Sequence, residues 1–274
     1  MIVDRDRTMP DRLTRRLEGV RLAEPSVLRR RLLDDTSATA GAGERRDRDR
    51  AAHMLLFLDD PKRVLDLALE HLVAELRTAK GDAGVVDTDD AEYLPSSVFG
   101  EPDQVATVAA TPLPNHHPVI RAAWEAGGPV AFDRVRANRR LGTLEPVFVE
   151  LGTTAMLAAP IYRHRVGLGL LCIDESEGER RWTPQAHDRV RHFVDRWLAP
   201  ILAQSLARQA KQDALTAAER RCVLLLAEGL SYAEIARSLD RSPRTVDNHL
   251  RSARRKTNTR NSIELIQVVR RPAG

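Results

Sequence analysis

The order of apolar and polar positions divides the chain into three stretches. In the first, Leu13, Leu17 and Val20 share the spacing of one helix face and Leu28 and Leu32 that of another, which predicts two short amphipathic helices. "ATAGAGERRDRDR" (38–50) reads as a linker of small residues followed by mixed charge. From residue 51 the pattern tightens. "MLLFLDDPKRVLDLALEHLVAEL" (54–76) predicts two helices, the second capped by Asp60 with Pro61 in its first turn. Val64, Leu67, Ala68, His71, Leu72 and Leu76 form its apolar stripe. Strand-like runs follow at 83–89, 105–112 and 129–135, then a pair within 154–176 turning at Arg163, His164 and Arg165. "HPVIRAAWEAGG" (117–128) predicts a helix closed by Gly127 and Gly128. Thr183 and Pro184 open a last helix towards Gln209, with Val190, Val194, Trp197 and Ile201 on one face. The sum is an α+β domain with antiparallel strands between helices.

The third stretch punctuates helices with caps. Thr216-x-x-Glu219 and Ser231-x-x-Glu234 are capping boxes, in which each side chain satisfies the other residue's free backbone N–H. Leu224, Leu225 and Ala227 follow the first, and Gly229 stops it; Ile235, Ala236 and Leu239 follow the second. After a turn at Asp240 and Arg241, Ser242 caps a third helix with Pro243 at its first position, and Asn261-x-x-Glu264 begins a fourth. Four short helices with tight turns make a helix-turn-helix unit.

Charge sharpens this division. The chain has 274 residues and a net charge of +4, but residues 208–274 carry 14 Lys/Arg against 7 Asp/Glu. The remainder is slightly acidic, so a polyanion partner is expected at one end only. Apolar residues make up 42% of the chain, and no apolar run approaches the roughly 18 residues of a membrane span. The charged start "MIVDRDRTMPDR" does not read as a secretory signal. Cys172 and Cys222 lie in different predicted domains, which speaks against a disulfide scaffold and for a cytoplasmic setting.

At 100° per residue the third helix turns Val246, Leu250 and Ala253 inward and Arg244, Asn248, Arg251 and Arg255 outward. Thr245 and Ser252 fall on one flank and Asp247 on the other. An outer face of Arg and Asn suits a major groove, since Arg offers two hydrogens to guanine and Asn pairs bidentately with adenine. Ser242 stands at the helix start, and Arg254, Lys256 and Arg260 are placed for phosphates, which fix register without reading sequence. Asp247 lies three residues after Arg244 and four before Arg251. Pairing with either would hold an arginine fork towards a base, and the carboxylate could itself accept from cytosine.

Two resemblances follow from these residues. The stretch 151–202, with its small-residue strand Leu157–Ile161, the turn at Arg163–Arg165, the Gly-containing strand Val166–Ile173 and the helix start Trp182–Pro184, is similar to the second half of a GAF domain. That resemblance covers about 60–206. It implies an antiparallel sheet of about six strands with helices on both sides, often a pocket for a small molecule, and frequent dimerisation through flanking helices. Residues 214–269 resemble the LuxR-type (GerE-type) DNA-binding domain, through Leu215-Thr216 with Glu219, Glu228-Gly229-Leu230-Ser231, Glu234-Ile235-Ala236, Ser242, Thr245-Val246, His249-Leu250 and Arg260-Asn261. It implies that the third helix is the recognition helix and that the fourth helps dimerisation on DNA. Asp247 stands where that family often has Lys, and Asn258-Thr259 replaces the usual Gly-Val.

The expectation is therefore an N-terminal arm (1–50), helical or disordered, a GAF-like sensory domain (51–209) and a helix-turn-helix domain (210–274). The function expected is that of a cytoplasmic, homodimeric bacterial transcription regulator binding double-stranded DNA, with room for a small-molecule ligand in the GAF-like domain and for contact with RNA polymerase. A sigma-factor-like promoter-binding protein is the alternative for the C-terminal helices, against which the fourth helix counts. A redox or cofactor-binding GAF sensor is another, resting on His116, His117 and Cys172. The histidines read as loop surface or structural hydrogen-bonders, His187 and His192 share no helix face, and Cys172 reads as a buried core thiol. No GxGxxG, P-loop or GxSxG occurs, so no catalytic residue, metal or cofactor is expected. The acidic run "VVDTDD" (85–90) reads as a loop rather than a receiver-domain strand end.

Overall fold

The computed structural model describes residues 16–17, 22, 25–34 and 41–269. Leu13 and Val20 lie outside the described residues. The other predicted N-terminal helix is α1 (Pro25–Asp34), which buries Leu28. The chain divides into two compact units, 1–205 and 206–274.

In the first unit, residues 42–50 correct the linker reading. They belong to α2 (Ala42–Leu56), whose buried side is Asp47, Ala51, Met54 and Leu55. The helical spacing is in the sequence, but an aspartate heads the stripe and hides it. Asp47 is only 1% exposed because partners come from elsewhere: His71 Nε2 at 2.6 Å, and the Arg189 guanidinium. α3 (Pro61–Leu76) starts as expected, with Asp60 Oδ1 accepting from Arg63 N at 3.0 Å. It buries the expected stripe except Leu76, which is half-buried, and also Leu65, Leu69 and Val73, so it is covered on more than one side.

The sheet is antiparallel and five-stranded, in the order β3 (Ser97–Phe99), β1 (Lys80–Val85), β7 (Val166–Glu175), β6 (Ala155–Arg163), β5 (Val130–Phe132). β2 (Glu92–Tyr93) and β4 (Leu113–Pro114) pair in a separate ribbon, so the expected count of about six strands is met by two sheets. β1 begins three residues before the predicted run and takes in the polar residues Lys80 and Asp82. The acidic run beyond it forms a loop, in which Asp87 N donates to Asp90 Oδ2 at 2.7 Å. The β6–β7 hairpin turns at His164 and Arg165, both with positive φ (49° and 68°), the geometry of a two-residue type I′ turn.

Residues 105–112 are not a strand. They fall largely in α4 (Pro102–Ala110), where Pro102 occupies the first helical turn and Val105 and Val108 repeat at three residues. β-branched composition suggested a strand; the proline start and the i, i+3 spacing prevail. α5 (Pro118–Glu125) follows, then a 3-10 segment Arg139–Leu144 and α6 (Glu145–Glu150). His117 caps α5, its Nδ1 accepting from Val119 N at 3.3 Å while Nε2 meets Thr143 Oγ1 at 3.2 Å.

The long helix predicted after Thr183 is α7 (Pro184–Phe193), a π-helical turn Val194–Leu198, and α8 (Ala199–Asp213). Thr183 Oγ1 accepts from Ala186 N at 3.2 Å. Val190, Val194, Trp197 and Ile201 are all buried in this unit, with the π turn packed on β6, α2 and α3. This apolar stripe thus covers the unit's own sheet and helices.

The second unit packs α9 (Ala217–Ala227), α10 (Tyr232–Ser238), α11 (Pro243–Thr257) and α12 (Ser262–Val269) around Cys222, Val223, Ile235, Val246, Leu250 and Leu265. Leu224 is 39% exposed, and Leu225 takes the core position. Both capping boxes form, with Thr216 N to Glu219 Oε2 and Ser231 N to Glu234 Oε2 at 2.8 Å each. The boundary at 205/206 falls inside α8, whose end joins the second unit through Gln212 Nε2 to Val268 O at 2.8 Å.

Candidate functional site

The turn between α10 and α11 depends on Asp240, held at a φ of 51°. Asx side chains tolerate that left-handed region, so the chain reverses in four residues. Ser242 then starts α11: its Oγ accepts from Thr245 N at 3.1 Å and lies 2.8 Å from Thr245 Oγ1. Asn258 closes the helix at a φ of 53°. Asn is the usual substitute for Gly at such a left-handed helix end.

The faces of α11 separate as the spacing predicts. Val246, Leu250, Ala253 and Thr257 are buried, while Arg244, Asn248, Arg251 and Arg255 are exposed. Asp247 pairs with Arg251 rather than Arg244, Oδ2 to Nε at 3.0 Å. Arg254 is half-buried and donates to Ser262 Oγ at 3.4 Å. Arg260 is exposed, and its backbone N–H donates to Glu264 Oε2 at 2.8 Å. Lys256 is tied inside the unit, its Nζ donating to Glu219 Oε2 at 2.7 Å. Burial pushes the Glu219 carboxyl up, but hydrogen bonds from Lys256, Ser252 and Thr216 outweigh it and hold it at about 2. No local pattern signalled this ion pair, which spans 37 residues.

The first unit holds a second candidate site that no motif in the sequence marks, a cavity of about 50 Å³. One wall is the sheet, with Asp82, Met156, Ala158, Cys172 and Asp174; the other is apolar, including Val108 of α4, Ile120 of α5 and Phe148 of α6. Cys172 is a cavity-lining, half-buried thiol rather than a packed core residue, and burial, then Asp82 and Asp174, push it well up. Tyr93 Oη donates to Asp82 Oδ1 at 2.5 Å. Burial raises Asp82 to about 6, against the Tyr93 hydrogen bond and the Lys80 charge. Burial, and then the Asp82 charge, raise Asp174 to about 8. The signal available in the sequence was the alternation Lys80-x-Asp82 against Cys172-x-Asp174, legible only once β1 and β7 are paired.

The fold is thus a GAF-like antiparallel sheet with flanking helices, followed by an all-helical helix-turn-helix unit. Residues 213–257 match the family model described as Sigma-70, region 4. The phycoerythrobilin-bound GAF domain of a cyanobacterial phytochrome is similar at 15% identity and a TM-score of 0.50, over 61% of this chain and 97% of that one. A GAF domain/HD domain protein from Geobacter sulfurreducens is 14% identical with a TM-score of 0.46, over 54% of this chain and 96% of that one. No curated protein sequence matches the chain. The described residues contain no helix long and apolar enough to cross a membrane.

Proposed function

We propose that the protein is a transcription regulator whose C-terminal unit reads double-stranded DNA with α11, under the control of its GAF-like unit. The observation that carries this reading is the division of α11 into a buried apolar side and an outward side of Arg244, Asn248, Arg251 and Arg255. Such a face offers bidentate donors to base edges, and the surrounding basic charge supplies phosphate attraction. Ser242, Thr245 and Arg260 flank the face, with Asp247 orienting Arg251. The finer assignment is to the LuxR type, supported by the fourth helix α12 after the recognition helix. Homodimerisation on an inverted repeat, contact with RNA polymerase, a cytoplasmic location and the absence of a catalytic step belong to the same proposal. Control would pass along α8, which carries residues of both units.

The family match favours a second reading, a sigma-factor-like promoter-binding role. The full chain, titrated against DNA selected from a random duplex library, tests both. Binding should weaken as salt rises, log K falling by roughly 0.9 per phosphate neutralised for each decade of salt. Absent or salt-insensitive binding defeats the proposal. Symmetric half-sites bound by two copies support the LuxR-type reading; promoter-specific initiation upon addition to core RNA polymerase supports the sigma-like one.

A further inference from the structure

The β1–β7 register sets Lys80 opposite Asp174 and Asp82 opposite Cys172. Strand alternation sends all four side chains to one face of the sheet, and three of them line the cavity. Their hydrogen bonds are unevenly filled. Lys80 Nζ donates to the Leu151 carbonyl, and Asp82 Oδ1 is taken by Tyr93. Asp174 receives only a long contact, from Thr153 Oγ1 to its Oδ2 at 3.5 Å. Its Oδ1 is buried with no partner among the described residues, in a residue 7% exposed. Buried carboxylate oxygens are normally satisfied, because leaving one without a donor costs free energy.

We propose that this cavity binds a compact organic cation, an ammonium or amidinium on a small apolar body, with an N–H donor directed at Asp174 Oδ1. The proposal rests on the reading of the GAF-like unit as sensory and names the chemistry that it would sense. Charge argues for a cation: the buried Asp174 Oδ1 calls for a donor, and an anion would add a third acidic group beside Asp82 and Asp174. The walls argue for an organic body, since Val108, Ile120, Phe148 and Met156 offer carbon surface and no oxygen ligand. Among the described residues no group of three or more His, Cys, Asp or Glu side chains converges as metal ligands do. Volume argues for a small group: at roughly 10–15 Å³ of such space per water-sized atom, about 50 Å³ takes three to five heavy atoms.

Binding should displace a proton. Burial raises both Asp82 and Asp174 above the ordinary carboxylate range, so near neutral pH the pair favours retaining a proton. The cation takes that proton's place, and the proton leaves to solvent. The groups that face the pair are Lys80, Tyr93, Cys172 and, for Asp174, Glu175. Of these, burial lowers Lys80 and raises Tyr93 and Cys172, so thiol and phenol stay protonated at neutral pH.

The test uses the full chain and acetamidine, four heavy atoms and cationic throughout the pH range, beside its neutral isostere acetamide and the anion acetate. Calorimetry should show acetamidine binding at least tenfold tighter than either, and at least tenfold tighter at pH 8 than at pH 6, with proton release. Asp174→Asn should lose at least tenfold. Equal binding of acetamide, displacement by an equal concentration of potassium chloride, or undiminished binding by folded Asp174→Asn would overturn the proposal. The comparisons on the unaltered protein stand even if the variant fails to fold. DNA affinity measured in parallel separates the two claims. Selective cation binding that leaves DNA affinity unmoved supports the site and defeats the sensory reading; intact DNA binding with no acetamidine binding overturns the site alone.

Discussion

Lys256, near the end of α11, donates to Glu219 in the first turn of α9, Nζ to Oε2 at 2.7 Å. Glu219 is 5% exposed on its side chain and also completes the Thr216 capping box, so one carboxylate serves a helix start and a helix–helix tie. Lys256, expected from the sequence to lie near phosphate, ties α11 to α9. Lys256→Met should therefore destabilise the C-terminal unit by ~1–3 kcal/mol, the cost of leaving a buried charged acceptor without its partner. Chemical denaturation checks this, and DNA binding by the folded variant should keep nearly the same salt slope. A slope reduced by about one with unchanged stability would return Lys256 to the phosphate.

The same carboxyl sets an acid limit. Its folded pKa of about 2 lies below the ordinary 4.5, so its stabilisation is present above about 4.5 and is lost as pH falls towards 2. Unfolding of the C-terminal unit followed from pH 6 to pH 2 should show this loss. Glu219→Gln should flatten the profile.

Asp247 and Arg251 form an exposed pair at 3.0 Å, 32% and 71% exposed. Such a pair adds only a few tenths of a kcal/mol to stability. Asp247→Ala should accordingly leave the denaturation midpoint nearly unmoved and relax base preference at the position that Arg251 reads. Unchanged preference across a randomised site would reduce Asp247 to a surface pair.

Asn248→Ala and Arg251→Ala should each cost about 1–3 kcal/mol on the preferred sequence and little on others. Binding to a panel of single-base variants measures this. Uniform weakening would mean that the base-reading face lies elsewhere on α11.

Asp174 predicts the opposite pH trend in the GAF-like unit. Its folded pKa, about 8, is raised by burial above the ordinary 3.8, so the native state prefers its protonated form. The associated stability is present at low pH and lost as pH rises from about 4 through 8. Asp174→Asn removes that loss and should make the unit more stable than the unaltered protein at pH 8. Urea midpoints between pH 5 and pH 8 decide it.

Much of the C-terminal unit is legible in the amino-acid order, because its signals are local. Thr216, Glu219, Ser231, Glu234, Ser242 and Pro243 each act within one helical turn, and the 3.6-residue period assigns Val246 inward and Asn248 outward without reference to the rest of the fold. The hairpin at His164 and Arg165 is equally local. Segments 42–50 and 102–110 mislead because composition and period disagree there. Charge hides the helix of Asp47, and β-branched residues hide the helix of Val105 and Val108.

The amino-acid sequence by itself determined the capped helix starts at Asp60, Thr183, Thr216, Ser231 and Ser242, the hairpin, the basic face of α11 and the α+β order, all consequences of hydrogen bonds and periodicities spanning a few residues. Tertiary structure alone decided which polar residues are buried and with whom. Asp47 is buried because His71 and Arg189 arrive from 24 and 142 residues away, and Glu219 is held low because Lys256 arrives from 37. Asp174 is buried because β1 and β7, far apart in the chain, pair side by side. The charge state of such a group depends on the dielectric and the neighbours that long-range packing creates, and no short stretch of chain carries either.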